Sequence, residues 1–133
     1  ALEAGCDFVH LGQGDLVHAD LAALRRAGVR LGISTHDHEE LERALRAAPD
    51  YVALGPIYPT LLKVMPWQPQ GLERIGEWKR RIGAIPLVAI GGLTLERLAG
   101  VFAAGADVAA VVTDIVRNRD PEGRAREWLA AAA

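Results

Sequence analysis

A single cysteine stands in this chain of 133 residues, so no disulfide can form within it, and that usage points to a reducing compartment. Cys6 itself reads as a small buried hydrophobe beside a strand. No apolar run approaches the roughly 18 residues needed to cross a bilayer; glycine, proline and charges interrupt every one. Positive charge gathers into no stripe, and a net charge of −2 argues against nucleic acid as a partner. No secretory signal opens the sequence. The first residues, ALEAG, read instead as the last turn of a helix capped by Gly5. The expectation is therefore a cytoplasmic protein whose N-terminal portion is missing from this chain. Lysine is scarce as well: two lysines stand against thirteen arginines, which singles out a lysine placed in a loop.

What the chain does hold is a cadence repeated five times: a helix end, a tight turn, a short apolar strand, a polar loop. The copies are ALEAGCDFVHLGQGD, LRRAGVRLGISTHD, LRAAPDYVALGPIYPT, RRIGAIPLVAIGG and FAAGADVAAVVTD. Strands alternating with helices specify a parallel sheet of βα units, and continuous apolar strands are expected where both faces are buried. The spacing predicts strands at Phe8–Leu11, Arg30–Ile33, Tyr51–Leu54, Leu87–Ile90 and Val108–Val112. Helices are expected from Asp20 to Ala27, from His38 to Ala47, up to Ile82, from Thr94 to Gly105, and from Asp120–Pro121 onward. Residues 1–133 read as one α/β domain with no linker. Five units fit either an open doubly wound sheet or part of an eight-stranded barrel, which needs about 200 residues.

In such proteins ligands bind where the loops leave the strand ends, and the chemically capable residues stand there. After the first strand comes Asp15 among glycines, a possible Mg2+ ligand or a plain turn residue. After the second come Ser34, His36, Asp37 and His38. Asp37 with Glu40 has capping-box spacing, and both histidines read as surface residues, while His10 reads as a hydrogen-bonded wall residue of its strand. The third strand opens a loop of about 16 residues, Gly55 to Gly71, a length that is often functional. Thr60 and Lys63 stand in it. A lysine ammonium suits phosphate as a point charge, although a solvated lysine is the plain alternative, and Met65 and Trp67 read as packing or lid residues. After the fourth strand, Gly91 and Gly92 open a helix, where backbone N–H groups can face an anion. Val112 and Thr113 follow the fifth. In barrels the last two such loops often make a phosphate site.

Taken in order, HLGQGDL (10–16), GISTHD (32–37), ALGPIYPT with Lys63, PQGLE (69–73), VAIGGLT (88–94) and AVVTDI (110–115) resemble the thiamine phosphate synthase family. The resemblance spans nearly the whole chain, loops included. It implies a TIM-type (βα)8 barrel, of which this chain supplies about five units and lacks the N-terminal strands. It implies a transferase of thiamine biosynthesis that joins hydroxymethylpyrimidine diphosphate to hydroxyethylthiazole phosphate with Mg2+. By the same resemblance Asp15 matches a metal ligand, and Ser34 a serine near the reacting centre and the pyrophosphate. Thr60 and Lys63 match contacts to pyrophosphate and substrates; Gly92, Val112 and Thr113 match positions that hold the thiazole phosphate. Gln13 belongs to the motif but receives no direct role. Two departures stand out. Leu62 replaces a threonine common just before the loop lysine. An Asn-Asp-Arg element with a second metal ligand belongs to the three strands not present here. The 133 residues alone are therefore expected to be inactive. A thiazole tautomerase-like isomerase, or a non-catalytic descendant that binds phosphorylated ligands, is the alternative. The expected partners are phosphorylated small molecules, with a homo-oligomer left open.

Overall fold

The repeated aspartate just before a strand has a mechanical use. A computed structural model describes residues 1–60 and 66–133. In it the Asp50 and Asp107 carboxylates each accept a backbone N–H of the preceding strand, Leu31 and Leu87, both at 2.7 Å. They thereby seal the ladder at its N-terminal edge, where an N–H at or next to the start of a strand would otherwise lack a partner. Lys79 adds a 2.8 Å ion pair to Asp107.

The elements are β1 (Phe8–Leu11), α1 (Gln13–Leu16), α2 (Leu21–Arg26), β2 (Arg30–Thr35), α3 (His38–Arg46), β3 (Tyr51–Leu54), α4 (Gly71–Ile82), β4 (Leu87–Ile90), a 3-10 turn at Leu95–Arg97, α5 (Leu98–Ala103), β5 (Val108–Ala110), α6 (Thr113–Val116) and α7 (Pro121–Ala132). All strands are parallel, in the spatial order β1-β2-β3-β4-β5. A doubly wound sheet reverses its strand order at a switch point. This sheet never does, so it is five successive units of a TIM-type barrel.

Right-handed crossovers put every helix on the same side of such a sheet, and burial follows that geometry. On the helix-covered side Val52, Leu54, Leu87 and Ala89 are fully buried with Ile75 and Trp78 of α4 and Val101 of α5, while Ile33 is fully buried in a second cluster with Leu16 of α1 and Ala44 of α3. Each large side chain there contributes about 1.5–3 kcal/mol. The other side, the concave face of a barrel, keeps Phe8, Ile90 and Val108 exposed. The expectation that both strand faces are buried therefore holds on the helix side; on the concave side Ala53 is buried, while Phe8, Ile90 and Val108 are not.

Four further expectations are corrected. β2 runs two residues past Ile33, because Ser34 and Thr35 still pair with Ala53 and Leu54. β5 stops at Ala110, its last residue paired with β4, and Val112 instead becomes the N-terminal cap of α6. The turn around Asp15 is a short helix, α1. Cys6 is exposed rather than buried, in the segment that leads into β1. Thr94 does hold the N-cap position of its turn, but its side chain caps nothing there. Asp37 caps α3 as expected, accepting from Glu40 N–H at 2.9 Å, as does Asp120 for α7, accepting from Gly123 N–H. No described helix is long and apolar enough to cross a membrane.

Candidate functional site

The loops after β2, β3, β4 and β5 converge on one cavity of about 230 Å³ at the C-terminal edge of the sheet. Five of the expected residues line it: Ser34, Thr60, Gly92, Val112 and Thr113. Its floor is apolar, made by Ala53, Ile90 and Ala110 of three neighbouring strands, and its hydroxyl residues come from the end of β2 (Ser34, Thr35), the segment after β3 (Thr60) and the start of α6 (Thr113). That is the usual make-up of a ligand site, a few polar groups converging over an apolar bed.

The glycines at this edge are required by contact as much as by torsion. Gly91 and Gly92 have φ of +97° and +65°, where other residues are strained. A Cβ on Gly92 would lie 2.5 Å from the Pro59 carbonyl oxygen, and one on Gly91 would lie 2.7 Å from Pro56. The segment after β3 thus lies directly against the glycines after β4. Ile57 N–H and Tyr58 N–H donate to the carbonyls of Ile90 and Gly91, both at 3.0 Å, so the ladder continues beyond the strands into the site.

Ser34 is held through both its main chain and its side chain. Gln13 donates to the Ser34 carbonyl at 2.7 Å, and Arg43 of α3 fixes Gln13 by donating to its Oε1 at 2.8 Å. His10 Nε2 lies 2.8 Å from Ser34 Oγ. The sequence pattern gave Gln13 no part; its only signal was the conspicuous GQGD string. His10 is the hydrogen-bonded wall residue expected of it.

His36 is not a plain surface residue. The residue lines the cavity. Glu40 accepts from the His36 backbone N–H at 2.8 Å and lies 2.7 Å from Nδ1. Trp67 stacks on the imidazole with centroids 3.7 Å apart and planes 10° apart. The capping-box spacing of Asp37 and Glu40 was real, but Glu40 reaches one residue further back than a capping box would. His38 does lie near the surface, bonded to Glu77 of α4 at 2.6 Å. Gln70, in the PQGLE string, donates to the His36 carbonyl at 2.8 Å and so ties the third loop to the second.

Asp15 lies at the same sheet edge, in α1 directly after β1, exposed and outside the cavity lining. Among the described residues no three metal-binding side chains gather as a set. Asp15 could therefore give a cation one carboxylate oxygen, the remaining ligands coming from a phosphorylated substrate and water; Mg2+ is often held in this way. Lys63, Leu62 and Met65 lie outside the described residues.

Below Val112 and Thr113 an ion-pair network anchors α6. Arg124 of α7 donates to Asp114 at 2.8 Å, to Glu96 at 2.9 Å and to Glu127 at 3.0 Å, and Trp128 Nε1–H donates to Asp114 at 2.7 Å. Burial alone would raise the Asp114 pKa; the bonds from Arg124 and Trp128 outweigh it and hold the carboxyl below its ordinary range. The bond from Arg124 holds Glu96 down at about 2.

Comparison with known proteins adds to this geometry. Residues 1–115 match the family model described as thiamine monophosphate synthase. A thiamine-phosphate synthase of Rhizobium etli is 67% identical over 133 residues, all of this chain and 65% of that protein. One from Neisseria meningitidis is 45% identical over 130 residues, 98% of this chain and 63% of that protein. The structure of a thiamine phosphate pyrophosphorylase from Pyrococcus furiosus superposes with a TM-score of 0.83 at 27% identity, covering 99% of this chain and 62% of that one. The chain thus spans just under two thirds of the length of these relatives.

Proposed function

The chain belongs to the thiamine monophosphate synthase family, and we propose that the protein it forms joins a pyrimidine diphosphate to a thiazole phosphate, giving thiamine phosphate and pyrophosphate. The observation that carries this reading is the convergence of Ser34, Thr60, Gly92, Val112 and Thr113, distant in sequence, on one cavity at the C-terminal sheet edge. Gly92, Val112 and Thr113 hold the thiazole phosphate and fix the ring nitrogen for attack, lowering the entropic cost of the encounter. Ser34, Thr60 and Lys63 face the diphosphate. Its C–O bond breaks with the electron pair leaving on pyrophosphate, while the aminopyrimidine ring spreads the positive charge of the remaining methylene. The thiazole nitrogen then forms the new C–N bond. No protein nucleophile is required, consistent with a cavity lined by hydroxyls and glycines. The Lys63 charge and hydrogen bonds from the loop hydroxyls are worth most on the departing anion, where negative charge grows. Mg2+ held by Asp15 and the diphosphate would supply further neutralisation of that charge.

The test is to supply both substrates and Mg2+ to the complete protein and follow thiamine phosphate and pyrophosphate. Both are expected in equal amounts, and none from the 133 residues alone. A thiazole isomerised with no diphosphate consumed would replace this reading with the tautomerase one; phosphate-ligand binding with neither reaction would leave a non-catalytic binder.

A further inference from the structure

His10, Gly32 and Tyr51 form one row across three strands, since His10 pairs with Gly32 and Gly32 with Tyr51. Paired residues of adjacent strands present the same face, and Ser34, two residues beyond Gly32, shares it. A Cβ on Gly32 would overlap the Tyr51 ring. The ring therefore lies over the glycine and brings its hydroxyl to 2.8 Å from His10 Nδ1. The imidazole and phenol rings stack at 5.5 Å and 23°, and the other imidazole nitrogen, Nε2, meets Ser34 Oγ at 2.8 Å. The result is an unbroken chain of two hydrogen bonds, Tyr51–His10–Ser34, ending in the cavity. Desolvation holds the His10 pKa below its ordinary value, and burial pushes the Tyr51 phenol up, so both groups are neutral near pH 7.

A neutral imidazole has one N–H and one lone pair, so the chain can run only one way. A phenol is a stronger acid than an alkyl hydroxyl and a weaker acceptor. Tyr51 therefore donates to Nδ1, and Nε2–H donates to Ser34 Oγ. With its oxygen already accepting, Ser34 keeps its own O–H free for the cavity. We propose that Tyr51 and His10 are positioning residues that orient the Ser34 hydroxyl as a donor to the anion leaving in the reaction. This rests on the synthase reading above. The opposite direction would turn the same serine inward, away from the diphosphate, without moving an atom heavier than hydrogen.

Two measurements on the complete protein test it. With 15N-labelled histidine, long-range NMR correlations are expected to show His10 as the Nε2–H tautomer, and Tyr51→Phe, which removes one oxygen, to shift it toward Nδ1–H. In steady-state kinetics Tyr51→Phe is expected to lower kcat about tenfold with both KM values within about twofold. His10→Gln, which keeps a donor near the Nε2 position, should recover most of the rate that His10→Leu loses. An Nδ1–H tautomer in the parent protein overturns the proposal, as does a Tyr51→Phe variant with parental kcat or an unchanged tautomer. Should the protein form no thiamine phosphate at all, the synthase reading fails, while the tautomer still decides the direction of the chain.

Discussion

Thr35 is the hinge between core and site, and its removal can be worked out in advance. It is the only polar residue among the fully buried side chains described. Its hydroxyl donates to the Ala53 carbonyl at 2.9 Å and accepts from Trp78 Nε1–H at 2.8 Å. Valine at this position would keep the shape and delete the hydroxyl, leaving two buried polar groups short of a partner. Each such loss costs about 1–3 kcal/mol, and the carbonyl, with a second lone pair, lies at the low end. The expected cost of Thr35→Val is about 2–4 kcal/mol, a large share of the about 5–15 kcal/mol typical of a domain. In urea, with a slope of about 2 kcal/mol per molar, the midpoint should fall by about 1–2 M at unchanged slope. Trp78→Phe removes the other partner and has a packing cost of its own. In the double variant no orphaned donor remains, so the two changes should fall short of additivity by at least about 1 kcal/mol. Urea titrations of the four proteins followed by circular dichroism decide it. Strict additivity, or a Thr35→Val protein within about 0.5 kcal/mol of the parent, would show that this hydroxyl does not join strand to helix.

Gly92→Ala must place a Cβ 2.5 Å from the Pro59 carbonyl at a φ of +65°; a left-handed residue costs about 1–2 kcal/mol. In the complete protein the KM for the thiazole phosphate should therefore rise at least about fivefold, and an unchanged KM would remove Gly92 from the phosphate grip. Lys63→Ala removes the cation proposed to meet the leaving diphosphate; a charged hydrogen bond is worth about 1.5–3 kcal/mol, so on that proposal kcat should fall about ten- to hundredfold, and a parental kcat would leave Lys63 a solvated side chain. The Asp114 carboxyl titrates lower in the folded protein than in the unfolded chain. Its contribution is therefore present above the ordinary carboxylate pKa of about 4 and is lost as pH falls through the lowered folded value. Asp114→Asn should flatten the acid side of the stability–pH curve, and parallel curves for the two proteins would dissociate Asp114 from acid unfolding.

The strands were legible where an apolar run carries its own boundaries. β1, β3 and β4 begin and end as expected because aspartate, proline or a turn precedes each and glycine follows. β2 outran its apolar run because Ser34 and Thr35 look like loop residues and are strand residues only through partners elsewhere, namely His10, Ala53 and Trp78. β5 failed in the opposite sense. Val111 and Val112 extend the apolar run, but the partner strand ends with Ile90 opposite Ala110, and the chain then turns into α6. No local pattern records where a neighbouring strand stops. The residues that line the cavity were singled out by their place after the strands, and the family resemblance added the roles expected of them; the histidine at position 36 was read as a surface residue because its partners, Glu40 and Trp67, lie on two different segments.

What fixes the rim is likewise invisible to periodicity. The first four loops are tied in succession by bonds that belong to no single loop's own fold. Gln13 joins the first to the second, Gln70 the third to the second, and Ile57 N–H and Tyr58 N–H the third to the fourth. A glutamine carries no helical or strand signal, and its value here is reach: a long neutral side chain can bond a carbonyl without adding charge beside an anion site. On the reading proposed above, a diphosphate would meet in Ser34 a group already held by its strand and by Gln13 and His10, and for that contact the ordering entropy has been met in folding. The same belt explains why Arg43, remote from the cavity on α3, matters to it. Its bond to Gln13 fixes the glutamine that bonds the Ser34 carbonyl, so a charge on the outer helix layer bears on the placement of the Ser34 backbone at the inner rim.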